Sequence, residues 1–288
     1  MTNQRLPGKT TEVALPGIGI FDSGFGGLDI LREIVRVLPE YDYIYLGDTA
    51  RAPYGSRSQE LIYKFTEQAV NFLFKQNCGL IVLACNTASS EALRRIQQEY
   101  LPNHYPKRKV LGVIIPTAET AVKLTKNNRI GVIATEGTVA SGVFEQELKK
   151  LNPTITVFQK SCPLLVPIVE TGQYNSEIAK NVIKNYLNPL IKQGIDTLIL
   201  GCTHYGLLED KIRAVAGKNI NLISEGRIVA DKLKDYLARH PEIENKFHKS
   251  SGIKFLTTDL TNKFQILGSQ FFSKPINPEK VIIEVKPQ

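Results

Sequence analysis

The chain has 288 residues, 42% hydrophobic and 22% charged, with a formal net charge of +8 and an isoelectric point near 9.2. That is enough for a sizeable core and, at roughly 100–200 residues per domain, for two domains. No apolar run approaches the roughly 18 residues of a membrane span. The stretch MTNQRLPGKTTEVALPG lacks the apolar centre and cleavage site of a signal peptide, so a cytoplasmic location is expected. The basic residues are scattered, densest at Lys107, Arg108 and Lys109. Nucleic acid is therefore not expected as the primary partner, and a mildly basic surface suits anionic metabolites equally.

Strand-like apolar runs alternate with helical patterns along the chain, the signature of parallel sheets covered by helices, so the expected fold class is α/β. Strands are expected over 17–22, 43–46, 80–84, 110–114, 130–134, 155–158, 197–201 and 221–224. The clearest helix is expected over 58–76, with Leu61, Ile62, Phe65, Ala69, Phe72 and Leu73 on one face and Ser56 or Ser58 as its N-cap.

Two segment pairs resemble each other at similar separation. IGIFDSG begins at Ile18 and IGVIATEG at Ile130, an offset of 112 residues; LIVLACNT carries Cys85 and LILGCTHY carries Cys202, an offset of 117. Short Val/Ile/Leu-rich strands can match by chance, but the similar offsets favour duplication. The expectation is two similar α/β domains with mainly parallel sheets, related by a pseudo-twofold axis: 1–112 with 224–288, and 113–223. Ligands bind at the carboxyl ends of such strands, so the active site should lie in the cleft between the domains. Each cysteine follows its strand directly, which sets two thiols symmetrically about one small ligand.

Signatures of other chemistries fail. Asp29 stands where a dinucleotide-binding loop starting at Gly24 needs its third glycine. Gly8-Lys9-Thr10 resembles the end of a P-loop, but Asn3 occupies its first glycine position. No GxSxG elbow occurs. The four cysteines, Cys78, Cys85, Cys162 and Cys202, form no CxxC pair, which leaves neither a zinc spacing nor a redox motif.

Each remaining candidate has two readings. Cys85, Asn86 and Thr87 end a strand and open a helix, where the dipole favours a thiolate and free N–H groups can hold a carboxylate; the same residues also make an ordinary cap. Cys202 and Thr203 repeat the arrangement, and His204 can polarise the thiol or be a simple hydrogen-bonded histidine. Asp22 and Ser23 face the same cleft or form an Asx turn. The polar loop GDTARAPYGSRS, with Asp48, Pro53, Tyr54 and Gly55, sits between a strand and a helix.

Taken in order, IGIFDSGFGGL, YLGDTARAPYGSRS, LACNTAS, GVIATEGTV, PLLVPIVE and LGCTHY resemble the glutamate racemase family of bacterial cell-wall synthesis. The resemblance covers about Ile18 to Asp259. It implies interconversion of L- and D-glutamate without pyridoxal phosphate, other cofactor or metal, supplying D-glutamate for peptidoglycan, with Cys85 and Cys202 as the acid/base pair. It further implies that Asp22, Ser23, Tyr54, Gly55, Asn86, Thr87, Thr203 and His204 bind substrate, and that Asp22, His204 and Glu170 assist proton transfer. Family pattern pairs Cys85 with D-glutamate and Cys202 with L-glutamate. A homodimer is implied, with gyrase or nucleic-acid binding only as a side role; racemisation of aspartate is the alternative within the class.

Two requirements follow from that chemistry. One thiol must rest as thiolate, so helix N-termini and polar neighbours must lower its pKa. The carbanion should be held by hydrogen bonds to the α-carboxylate from Asn86, Thr87 and Thr203 or their backbone N–H groups. Two segments depart from the family pattern: IIPTAETA has Thr117 where many relatives have glycine, and LISEGRIVA replaces a common Asp-Ser-Ala style sequence.

Overall fold

The computed structural model describes residues 17–283; the N-terminal stretch with Gly8-Lys9-Thr10 lies outside them. The first sheet contains β1 (Ile18–Asp22), β2 (Tyr43–Gly47), β3 (Leu80–Leu83), β4 (Lys109–Gly112), β9 (Ile253–Thr257) and β10 (Pro278–Lys280), in the order β10-β9-β2-β1-β3-β4. The second contains β5 (Arg129–Ala134), β6 (Thr156–Ser161), β7 (Thr197–Gly201) and β8 (Asn221–Ile223), in the order β6-β5-β7-β8. All the described strand pairs are parallel.

The expected α/β class is therefore observed, and the two sheets share a plan. Each begins at its centre, with β1 between β2 and β3 and β5 between β6 and β7. The strand order reverses there, and an open parallel sheet has its ligand crevice outside the strand ends at such a point. Central strands β1, β3 and β7 are buried along their whole length, which is why they read as uninterrupted apolar runs. Ile18, Ile20 and Leu28 join one core and Phe21, Ile62 and Leu83 a second; Ile130, Val132 and Phe144 build a third behind β5.

Three expectations need correction. β4 stops at Gly112 and a helix runs over Ile114–Leu124, so 113–114 is not strand. Pro116 falls in that helix's first turn, where no intrahelical N–H partner is required. The helix expected over 58–76 spans Gln59–Lys75, and Ser58 stands at its cap without a side-chain cap bond. Its buried face is Ile62, Tyr63, Thr66, Ala69, Val70, Leu73 and Phe74, while Leu61, Phe65 and Phe72 are half-buried at the margin. Finally, β9 and β10 extend the first sheet beyond the expected strands. Only Phe255, Leu256 and Thr257 of β9 and Pro278 of β10 are buried, so their apolar signal is weak.

Candidate active site

The loop after β1 carries Asp22 and Ser23, and the loop after β3 carries Cys85. β1 and β3 are paired neighbours, so their ends deliver these side chains together. The Cys85 thiol donates to Ser23 Oγ at 3.4 Å and accepts from the Ala88 N–H at 3.4 Å. Cys85 thus caps the helix Asn86–Glu91 through its sulfur. Asp22 is wholly buried; its Oδ2 accepts from the Gly24 N–H at 2.9 Å, the expected Asx turn, and its Oδ1 accepts from Thr203 Oγ1 at 3.3 Å. One carboxylate therefore belongs to the turn and also reaches the second sheet.

From that second sheet, Cys202 follows β7, and Thr203–Leu208 is a 3-10 turn rather than the α-helix start expected by analogy with Cys85. His204 Nδ1 lies 3.9 Å from Cys202 Sγ, and His204 Nε2 lies 3.4 Å from Glu170 Oε1. Glu170 ends the helix Leu165–Glu170, and its Oε2 accepts from Lys263 Nζ at 2.8 Å. Burial works to raise the Glu170 carboxyl, but the hydrogen bonds and charges of His204 and Lys263 outweigh it and hold it at about 2. His204 thus turns one ring nitrogen toward the thiol and the other toward an ionised carboxylate.

The two halves touch around these groups. Thr87 Oγ1 lies 3.0 Å from Thr135 Oγ1 and 3.3 Å from Thr138 Oγ1, and the Gly137 N–H donates to the Gly55 carbonyl at 2.8 Å. A β-carbon at Gly26 would lie 2.5 Å from Thr203 Oγ1 and 2.9 Å from His204 Nδ1, so this close approach requires glycine. Tyr54 is buried and donates to Asp48 Oδ2 at 2.5 Å; Asp48 also accepts from Arg51 Nε and Thr258 Oγ1. Asp48 thereby ties down the loop that presents Tyr54 and Gly55.

Every residue expected at the site lies in this region, but two expectations about it change. Both thiols are raised, not lowered. Burial pushes Cys85 up to about 11, helped by the nearby Asp22 charge, and the hydrogen bonds from Ser23 and Ala88 offset only part of this. Burial drives Cys202 well above its ordinary value, with the charges of Cys85, Asp22 and Glu225 adding to it and a backbone hydrogen bond from His204 opposing it. Desolvation simply exceeds what one N–H or one short turn returns. Asp22 is likewise raised by burial, against the pull of His204, Gly24, Gly27 and Thr203. Second, one of the two Asn86 amide hydrogens is already donated to Glu225 Oε2 at 2.7 Å, so at most one remains for a carboxylate.

Thr135, Thr138 and Glu225 were not anticipated. Thr135 was within reach, since laying IGVIATEG on IGIFDSG puts it at the position of Ser23. Nothing local marks Glu225, which stands in the first turn of the helix Glu225–Arg239 like any carboxylate at a helix start. Among the described residues no cluster of three or more His, Cys, Asp or Glu side chains could hold a metal ion, and no helix is long and apolar enough to cross a membrane.

A buried thiol at the switch point of each of two parallel sheets suits an enzyme acting on a small ligand held between them. The family model for Asp/Glu/Hydantoin racemase matches residues 18–233, so the chain belongs to that family and is a racemase, an isomerase. It is 42% identical over 265 residues to a glutamate racemase of Bacillus cereus, covering 92% of this chain and 96% of that one. Among solved structures it is similar to a glutamate racemase isoform from Bacillus anthracis, with TM-score 0.85, 36% identity and coverage of 94% and 99%. The glutamate racemase of Francisella tularensis in complex with D-glutamate gives TM-score 0.84 at 33% identity, over 94% of this chain and 98% of that one.

Proposed function

We propose that this racemase interconverts L- and D-glutamate through two thiols, Cys85 and Cys202, without a cofactor. The observation that carries the reading is the matched pair: the same position after the third strand of each sheet holds a cysteine, and Asp22 hydrogen-bonds across to Thr203 between them. Glutamate as substrate is supported by the names of the similar proteins. The peptidoglycan role, the cytoplasmic setting and the homodimer rest on the family resemblance. The domain division is 1–112 with 224–288 against 113–223.

In this mechanism one sulfur, as thiolate, removes the α-proton from one face while the other, as thiol, gives a proton to the opposite face. Roles exchange with the hand of the substrate. With both thiols raised by burial they rest protonated, and the thiolate forms when substrate is bound. The ammonium group of the amino acid brings a cation into the low-dielectric site, which favours the ionised thiol. For Cys202 the departing proton goes to His204 Nδ1, and the ionised Glu170 stabilises the imidazolium. For Cys85 the path leads to Ser23 and its neighbour Asp22. The α-carboxylate, which carries the developing charge, is held by the hydroxyl of Thr87 and by the backbone N–H groups of Thr203 and its neighbours. Tyr54 and Gly55 face the substrate's side chain, and Asn86 meets its ammonium group.

The test is incubation of the purified protein with L-glutamate and, separately, L-aspartate in D₂O without added cofactor, following optical rotation and α-deuterium. Decay of rotation to zero with glutamate, much faster than with aspartate, is expected. A rotation that stays constant with glutamate contradicts the reading.

A further inference from the structure

Glu225 is buried at 5% exposure, although neither thiol chemistry nor any ion pair accounts for it. Its two oxygens meet two side chains from distant parts of the chain. Oε2 accepts from Asn86 Nδ2 at 2.7 Å, and Oε1 lies 3.4 Å from Thr117 Oγ1. The Thr117 hydroxyl has a single hydrogen, already donated to the Val113 carbonyl at 2.7 Å. The contact with Oε1 is therefore satisfied when Glu225 supplies the proton, which makes it a neutral acid that accepts at one oxygen and donates at the other.

The consequence falls on Asn86. With its nitrogen committed to Glu225, its Oδ1 is buried with no hydrogen-bond partner. A buried acceptor without a donor is costly, and Asn86 directly follows Cys85 at the site. An amino acid brings the complementary group, an ammonium that only donates.

We propose that Glu225 is a positioning residue for the reaction: it holds the Asn86 carboxamide by its nitrogen, so that the oxygen stays free to accept from the ammonium group of the amino acid. This rests on the racemase reading above. The groups facing Glu225 reinforce the neutral form. Asp29 approaches from the helix Leu28–Val37, where it is paired with Arg32; Asp22 lies at the end of β1 and Cys202 after β7. Burial, with Asp29 and Asp22 adding to it, pushes the carboxyl up to about 8 against the hydrogen bond from Asn86. Above that pH a second buried negative charge would sit beside Asp22 and raise the cost of a thiolate.

The experiment measures kcat and KM for L-glutamate from pH 6 to 10 in the wild type, Glu225→Gln, Glu225→Leu and Glu225→Leu/Asn86→Ala. Glutamine reproduces the neutral acid, accepting from Asn86 and donating to Thr117. It should rescue kcat/KM to within about twofold of the wild type at neutral pH and remove the fall near pH 8. Leucine should lower kcat/KM by about ten- to a hundredfold, the effect of losing a hydrogen bond to a charged group, mainly through KM, and Asn86→Ala should add nothing to it. A Glu225→Gln profile that keeps the wild-type alkaline fall overturns the inference, and it does so even if the leucine variant fails to fold. So does a leucine variant with wild-type kinetics. A wild type that does not racemise glutamate overturns the proposed function itself, which separates the two failures.

Discussion

The surroundings of Cys85 and Cys202 differ more than the strands that carry them. Both follow the third strand of a four-strand unit with the same order, yet Cys85 caps a helix and touches a hydroxyl, whereas Cys202 opens a 3-10 turn and faces an imidazole backed by a carboxylate. Repeating a backbone plan places two sulfurs alike. It does not give them the same proton partner: Cys85 meets Ser23, whereas Cys202 meets His204, which is backed by Glu170 and Lys263 from outside the repeated motif.

The comparison breaks first at the sulfurs. Cys85→Ala and Cys202→Ala should each lower racemisation by about a thousandfold or more, within the range general acid/base catalysis contributes, as measured by optical rotation. Substantial activity in either variant would mean that one face suffices. Next comes the asymmetry. Glu170→Gln removes the ionised acceptor behind His204 and should lower kcat for the direction in which Cys202 is the base by about tenfold, with KM for that enantiomer falling in step because equal free energies of the enantiomers tie kcat/KM in the two directions. The opposite kcat should change less, and equal losses of kcat at saturation for the two enantiomers would remove the distinction between the two sides. Gly26→Ala pushes a methyl group against Thr203 and His204. It should raise KM several-fold in both directions.

The one effect outside catalysis concerns stability. Glu225 is raised from 4.5 to about 8 in the folded protein, so folding retains a proton that the unfolded chain releases. Its contribution is fully present below pH 4.5 and is lost as the pH rises through about 8. Glu225→Gln should therefore match the wild type in urea unfolding near pH 4.5 and become relatively more stable toward pH 9. A difference independent of pH would show that Glu225 does not titrate this way.

Much of the fold was legible because β1, β3 and β7 are buried on both faces and end in turn residues; the exposed residues of β9 and β10 hid them. Within the site, the cysteines, Asp22 and His204 lie in local motifs that can be read directly. Glu170 and His204 meet only through packing of the helix Leu165–Glu170 against the turn after β7. Thr117 and the segment LISEGRIVA look like two unrelated departures from the family pattern, but they meet at 3.4 Å through Glu225. Contacts between segments more than a hundred residues apart leave no local pattern to find.

The central claim is that two sulfurs act on opposite faces of one carbon. It is tested most directly by the first turnovers of L-glutamate in D₂O, with the two enantiomers separated and their α-deuterium measured. Two bases predict that the D-glutamate formed carries deuterium while the remaining L-glutamate keeps its protium. Deuterium appearing equally in both, or protium carried over into the product, would mean that a single base serves both faces.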